Sequence, residues 1–399
     1  MIMSRLNRRR FLKTGIAGAA GVVAFSPALT SEKTSLQEKK IVYRTLGRTG
    51  IKVPVVGFGV MRSDNPNLCE AALDKGITFF DTAHGYMNGN NETMLGNIFK
   101  KIPRNSFILE TKVKPAAVGR DGIPTDQTTA KDFLEKFKLS LSRLQLDYVD
   151  ILFIHDVSNT KLLEYKPIVN AIQKLKKEGK TRFIGFSTHN NMASVIEAAA
   201  STDIWDVILT TYNFQLANIN EMNAALKKAN AAGIGIVAMK TLAGGGFLDK
   251  ERTKPMNTSA ALKWALSNPN VCLAIPGMTN FDHLDANLKV LADISMTEQE
   301  KKDLLAANGE SGLFCAGCSK CLTACPFNLP VPDLMRAYMY AYGYSNPSMA
   351  YNLLGELGTG SAPCSNCDTC MVECTRKFNV KEKISDISRL VNVPSDFII

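Results

Sequence analysis

The sequence predicts an α/β fold, a (β/α)8 barrel of the TIM type with an amino-terminal hairpin plug, followed by a small, mainly helical domain built on cysteines. Two observations predict it. From residue 41 onward, apolar β-rich runs alternate with helical patterns eight times, and eight such units close into a parallel barrel. Past that alternation, eight of the chain's 10 cysteines fall into two matched runs. A chain of 399 residues has room for a barrel of about 250 residues and a second, smaller unit.

Composition sets few other limits. A hydrophobic content of 45% with 21% charged residues is ordinary for a water-soluble globular chain. Half of the net charge of +10 comes from Arg5, Arg8, Arg9, Arg10 and Lys13, in a stretch of thirty residues without an acid. The remainder carries no basic surface for nucleic acid, and the lysine-rich run at 174–180 reads as a solvated helix end.

Residues 1–30 read as a targeting segment. Asn7-Arg8-Arg9-Arg10-Phe11-Leu12-Lys13 precedes an Ala/Gly-rich apolar run over 14–24, then Pro27 and small residues. Paired arginines before Phe-Leu-Lys resemble the signal of the bacterial twin-arginine pathway, which implies a periplasmic or otherwise exported protein. The apolar run is too short and glycine-rich for a stable span, so a membrane role requires the signal to stay uncleaved as an anchor. Polar residues 31–40 read as a linker.

The barrel occupies 41–305. Residues 42–46 and 51–53 flank Gly47 and Gly50 as a hairpin, and strands are expected near 55–60, 77–81, 106–111, 148–154, 181–187, 206–211, 234–240 and 271–275. The clearest helix is 128–144, where Phe133, Phe137, Leu141 and Leu144 share a core-facing stripe. Cys69 and Cys272 are isolated and read as small buried hydrophobes.

Three successive strands end in one ionisable side chain each. Phe79-Phe80 stops at Asp81, with Tyr86 five positions on; Phe107-Ile108-Leu109-Glu110-Thr111 runs into Lys112; Ile151-Leu152-Phe153-Ile154 runs into His155. Barrel active sites lie at the carboxyl ends of the strands, so these four side chains are expected to converge. An ammonium beside a phenol favours the phenolate, which makes Lys112 the expected group to lower the Tyr86 pKa, with Asp81 holding Lys112. His155 is suited to orienting a carbonyl oxygen. The set is a proton donor for an oxygen that becomes an alkoxide, the partner of hydride delivery to a carbonyl. His84 and His189 fall in loops at the rim of the same site.

This ordered set resembles the catalytic tetrad of the aldo-keto reductases. The resemblance extends to Tyr43-Arg44-x-Leu46-Gly47-x-Thr49-Gly50, Gly185-Phe186-Ser187, and Ile275-Pro276-Gly277 with Asn287, covering about residues 41 to 295 in order. It implies that the hairpin plugs the barrel bottom, that the substrate is a small carbonyl or alcohol, and that a nicotinamide nucleotide binds with Ser187 near its amide. The ends of the seventh and eighth strands would then hold the phosphates. Lys240, leading into Leu242-Ala243-Gly244-Gly245-Gly246, fits an anion independently, although a flexible substrate loop reads the same way. Thr188, Leu209 and Met239 depart from the common family pattern around the nicotinamide. Gly277 and His283 replace cations that often hold the 2′-phosphate, which leaves NADP(H) and NAD(H) both open.

The last domain, 306–399, carries Cys315-x2-Cys318-x2-Cys321-x3-Cys325-Pro326 and Cys364-x2-Cys367-x2-Cys370-x3-Cys374. This is the bacterial ferredoxin spacing for 4Fe-4S clusters, in which the fourth cysteine of each run serves the other cluster. Zinc favours separated pairs, and disulfide frameworks rarely repeat such spacing. The spacer over 332–344 reads as a helix with Met335, Tyr338, Met339 and Tyr342 on one packing face, which points to a helical ferredoxin-like arrangement; 384–399 reads as a tail lying back on the barrel. The whole predicts an exported NAD(P)-dependent oxidoreductase with two 4Fe-4S clusters, for electron transfer with a redox partner or for structure. The alternative is an electron-transfer or redox-sensing protein whose barrel binds nucleotide with little turnover.

Overall fold

In this computed structural model the described residues are 41–119 and 121–398, so the targeting segment and linker expected over 1–40 lie outside them. The hairpin forms first, β1 (Tyr43–Thr45) antiparallel to β2 (Lys52–Pro54). Eight parallel strands follow: β3 (Phe58–Gly59), β4 (Phe79–Asp81), β5 (Ile108–Val113), β6 (Val149–Ile154), β7 (Thr181–Thr188), β8 (Val207–Thr211), β9 (Gly235–Met239) and β10 (Leu273–Ala274). Each pairs with the next in sequence, and parallel bridges Val56–Ala274 and Gly59–Gly277 join the first strand to the last. The eight runs read from the sequence are these strands, most of them trimmed at their ends, with β5 and β7 running on to Val113 and Thr188.

Alternation along each strand divides the core in two. Phe79, Ile151, Phe153, Val207, Leu209, Val237, Leu273 and Ile275 point inward and fill the barrel, while Phe80, Leu152, Ile154, Ile208 and Ile236 point outward to the helices. Leu46 and Val53 of the hairpin belong to the inner cluster, and Gly47 lies against the backbone of Gly233 and Gly235. The hairpin therefore closes the amino-terminal end of the barrel, as expected. The helix Ala130–Leu144 buries Phe133, Phe137 and Leu144 and is capped by the Thr129 side chain.

The cysteine-rich region is helical throughout its described regular structure. The spacer forms Val331–Tyr338 and continues as a π-helical turn, Met339–Gly343, which shifts the following residues around the axis. The carboxyl-terminal helix Val380–Ser388 packs on Val331–Tyr338, with Lys383 Nζ 4.2 Å from the Tyr338 ring centroid. This corrects the expectation that the tail lies mainly on the barrel, which it touches through the Asp386–Lys250 ion pair at 3.5 Å. Its buried face, Val380, Ile384 and Ile387, matches an apolar face within its own domain. No helix among the described residues is long and apolar enough to cross a membrane.

One close approach fixes a glycine. A Cβ on Gly185 in β7 would stand 1.9 Å from the Val207 carbonyl oxygen and 2.8 Å from the Phe153 ring. Gly185→Ala is expected to lower stability by about 1–3 kcal/mol, the range for overpacking a tight interior. Thermal unfolding measures it, and an unchanged midpoint would contradict the close strand packing.

Candidate active site

The strand ends of β4, β5 and β6 bring the four predicted residues together. Inside the apolar barrel, the Lys112 ammonium reaches Asp81 Oδ1, the Thr82 carbonyl oxygen at 2.8 Å and Tyr86 Oη at 3.3 Å. Lys112 and Asp81 are 1% and 3% exposed, so this charge is held by partners instead of water. Tyr86 follows on a short irregular turn, and its ring meets the His155 ring edge-on, centroids 5.9 Å apart.

Burial sets the charge states. The Tyr86 phenol is raised well above its ordinary value, first by burial and then by Asp81, Tyr340, Glu110 and Tyr344. The expectation that Lys112 lowers it is thus corrected: loss of hydration, with the Asp81 carboxylate next, outweighs the ammonium, and the resting side chain is a neutral phenol. His155 is pushed down to about 3 by burial and then by Lys112, so its imidazole is neutral at ordinary pH. Neighbouring Asp156 has positive φ; burial opposes its ionisation, but Arg336, His189 and Lys114 outweigh that and hold it ionised.

Asp81, Tyr86 and His155 border a cavity of about 800 Å³. Of the residues expected at a cofactor, Met239, Lys240 and Gly277 line it and Ser187, Gly244 and Asn287 do not. Ser187 is fully buried and its Oγ accepts from the Asp156 amide at 2.9 Å. Gly244 lies against Leu313 and Phe314, and Asn287 sits part-buried on the helix Phe281–Ala292, away from the lining. Lys240 points to His189, Nζ to Nδ1 3.0 Å, and is lowered to about 7 by burial and then by Arg336. His84 lines the cavity but is tied down, Nδ1 3.1 Å from Ser140 Oγ and its carbonyl accepting from Arg143 at 2.9 Å.

Several lining residues were missed by the sequence reading. Tyr340 and Tyr344 come from the cysteine-rich region and stack at 5.7 Å between centroids; Arg62 lies over Tyr344 at 4.6 Å and Lys240 over Tyr340 at 5.8 Å. Arg336, from the same region, pairs with Asp156 at 3.7 Å and Asp333 at 2.9 Å. The i, i+4 spacing of Tyr340 and Tyr344 was a visible signal, overshadowed by the opposite face that packs within the domain. Arg62 carried one too, a cation three positions after a strand end.

The eight cysteines of the two runs are unpaired thiols. Cys315, Cys318 and Cys321 have Cys374 as an electrostatic neighbour within their group, and Cys364, Cys367 and Cys370 have Cys325. Among the described residues, no three His, Cys, Asp or Glu side chains converge on a point that would hold a single metal ion.

Residues 58–260 match the family model of the aldo/keto reductases. The chain belongs to the aldo/keto reductase family. Among relatives, an L-galactose dehydrogenase of Arabidopsis thaliana is 29% identical over 304 residues, covering 66% of this chain and 92% of that protein. A probable aldo-keto reductase of Glycine max is 26% identical, over 66% and 87%. The solved aldo-keto reductase of Klebsiella pneumoniae in complex with NADPH shares the fold, with a TM-score of 0.53, 23% identity, and 66% and 94% of the two chains covered. A holo-form aldo-keto reductase of Bacillus halodurans does likewise at 0.54 and 23%, over 67% and 96%. This aldo/keto reductase has the family's barrel, with the cysteine-rich region supplying part of the cavity wall.

A depressed imidazole makes stability pH-dependent. His155 stays neutral in the folded chain down to about 3, whereas the unfolded chain takes up a proton near 6.5. The unfolded state therefore binds more protons in that window, and stability falls as pH drops through it. His155→Asn is expected to flatten the decline between pH 6.5 and 3 by an amount of order a few kcal/mol. Equilibrium unfolding across that range measures it, and an undiminished slope would contradict the buried neutral state.

Proposed function

We propose that the protein is an exported NAD(P)-dependent oxidoreductase that reduces a small carbonyl compound, or oxidises the alcohol in reverse, and carries two 4Fe-4S clusters. The observation that carries this reading is the Lys112 ammonium shared by Asp81, Thr82 and Tyr86 at the edge of the cavity. The relative that is an L-galactose dehydrogenase makes a sugar one candidate substrate.

A nicotinamide nucleotide suits the residues present. The cavity is roomy, and Arg62 and Lys240 line it without a carboxylate at ion-pair distance among the described residues. Those two cations, with the backbone at Gly245 and Gly277, would hold the phosphates, and Met239, which also lines the cavity, would contact the nicotinamide. Burial of Ser187 removes it from the amide end. When bound, the nicotinamide supplies or accepts the hydride. The neutral Tyr86 phenol gives its proton to the carbonyl oxygen as charge develops there, and Lys112 at 3.3 Å stabilises the phenolate left behind. Asp81 and the Thr82 carbonyl keep Lys112 in place. The neutral His155 ring donates a hydrogen bond to the same substrate oxygen, and Tyr340 and Tyr344 help exclude water.

The cysteine grouping supports clusters over a single ion. A cubane takes one thiolate at each iron, so its ligands surround a volume and do not converge on a point. Cys315, Cys318, Cys321 and Cys374 would hold one cluster, and Cys364, Cys367, Cys370 and Cys325 the other. Cys315 also lines a small cavity with Lys240, His189 and Arg336, which supports communication with the active site. One-electron exchange with a redox partner protein is the function this placement favours for the clusters. Arg8 and Arg9 before Phe11-Leu12-Lys13 support export, since cofactors made in the cytoplasm require a route for folded cargo.

Tyr86→Phe is expected to lower kcat with a panel of small aldehydes by at least about 100-fold while iron and sulfide contents stay unchanged; retained activity would sink the assignment. Protein isolated without oxygen is expected to hold about eight irons and eight sulfides per chain, and Cys374→Ser to lose about half of each. Iron-free protein with full activity would overturn the cluster reading. Mass spectrometry of nucleotide released on denaturation separates NADP from NAD.

A further inference from the structure

Glu110 is the inward-facing residue of β5 one layer below Lys112, and in the strand register it stands beside Asp81. It is fully buried in an interior otherwise packed with Phe79, Ile151 and Phe153. As a carboxylate it has no donor: neither Oε1 nor Oε2 finds a hydrogen-bond partner. As a carboxylic acid it has one acceptor at hand, the Asp81 carboxylate. Asp81 is the group that holds Lys112, so Glu110 touches the catalytic cluster from the side opposite the cavity.

The titratable and charged groups facing Glu110 are Asp81 from β4, Lys112 from its own strand, and Tyr86 above them. Burial and the Asp81 charge both oppose its ionisation, and Lys112 only partly offsets them. A donated hydrogen bond withdraws part of the Asp81 charge, which frees more of the Lys112 charge for the phenolate forming at Tyr86. An ionised Glu110 would do the reverse, adding a second negative charge beneath the ammonium.

We propose that Glu110 is a positioning residue of the catalytic cluster, a protonated carboxyl that donates to Asp81 and thereby sets how strongly Lys112 supports Tyr86. This rests on the tetrad reading above for its catalytic part, but not for the protonation itself. It also accounts for a local conflict: an apolar side chain of similar size would suit the interior better, and such conflicts concentrate at functional sites.

Infrared difference spectra of the full chain at pH 7, wild type minus Glu110→Gln, test the protonation without any turnover. The expected result is loss of a protonated-carboxyl C=O band; its absence, with carboxylate bands lost instead, overturns the proposal even if the enzyme is active. With an aldehyde identified in the Tyr86→Phe experiment, Glu110→Leu is expected to lower kcat about tenfold with KM unchanged. Glu110→Gln, whose amide still donates, should stay within about twofold of wild type. Equal kcat in all three proteins, or equal loss in Gln and Leu, overturns the positioning role. If no form reduces any aldehyde, the functional reading fails, and the infrared result still decides the state of Glu110.

Discussion

A lysine ammonium buried in the mouth of an apolar barrel is the constraint on which the site depends. The interior around Lys112 is built from Phe79, Phe153, Leu209 and Val237, and such surroundings cannot solvate a charge. Three oxygens replace the lost water: the Asp81 carboxylate, the Thr82 carbonyl and the Tyr86 hydroxyl. Each comes from the end of β4 or the turn after it, so the fold of that one segment determines whether the charge is tolerable. The same low polarity keeps Tyr86 a phenol and His155 an uncharged imidazole. The barrel thus fixes the chemistry chiefly by removing water, and the pairwise charges adjust what burial has set.

The cysteine-rich region is part of this arrangement. Arg336 pairs with Asp156, the residue after His155, across the interface between the spacer helix and the barrel. Asp156 in turn presents its amide to Ser187 Oγ, which ties the end of β6 to β7. The π-helical turn then aims Tyr340 and Tyr344 at the cavity, where a regular continuation would have placed different side chains. The segment between the two cysteine runs thus supplies part of the cavity wall through one helix and one turn.

Local sequence carried most of the barrel and the tetrad. Period-two alternation places Phe79, Asp81, Glu110 and Lys112 inward without any tertiary information, and the order of strand ends places Asp81, Lys112 and His155 side by side. The helix expected over 128–144 was equally plain from its stripe, and the structure has it as Ala130–Leu144. What sequence could not supply was the effect of distant segments on one another. Gly244 reads as an open anion loop until Leu313 and Phe314 cover it, and Ser187 reads as a ligand until the Asp156 amide claims it. The direction of the Tyr86 shift was missed for a related reason: a pairwise view counts Lys112, whereas burial is a property of everything that surrounds the ring.

The covering of Gly244 by Leu313 and Phe314 makes the mouth of the barrel asymmetric. Beyond β8 and β9, Gln215 donates to the Ala307 carbonyl at 3.2 Å, and Gly245 lies against the Gly343 backbone. That side is held by one side-chain hydrogen bond and by close main-chain packing. The other side is bordered by Met87 and Asn88, both with positive φ on the turn that carries Tyr86, and by the half-buried Lys136. Non-glycine residues in that conformation hold it at some energetic cost and keep it where their surroundings determine it. On that side Tyr86 borders the cavity with the stacked Tyr340 and Tyr344, and the His155 ring stands edge-on to Tyr86.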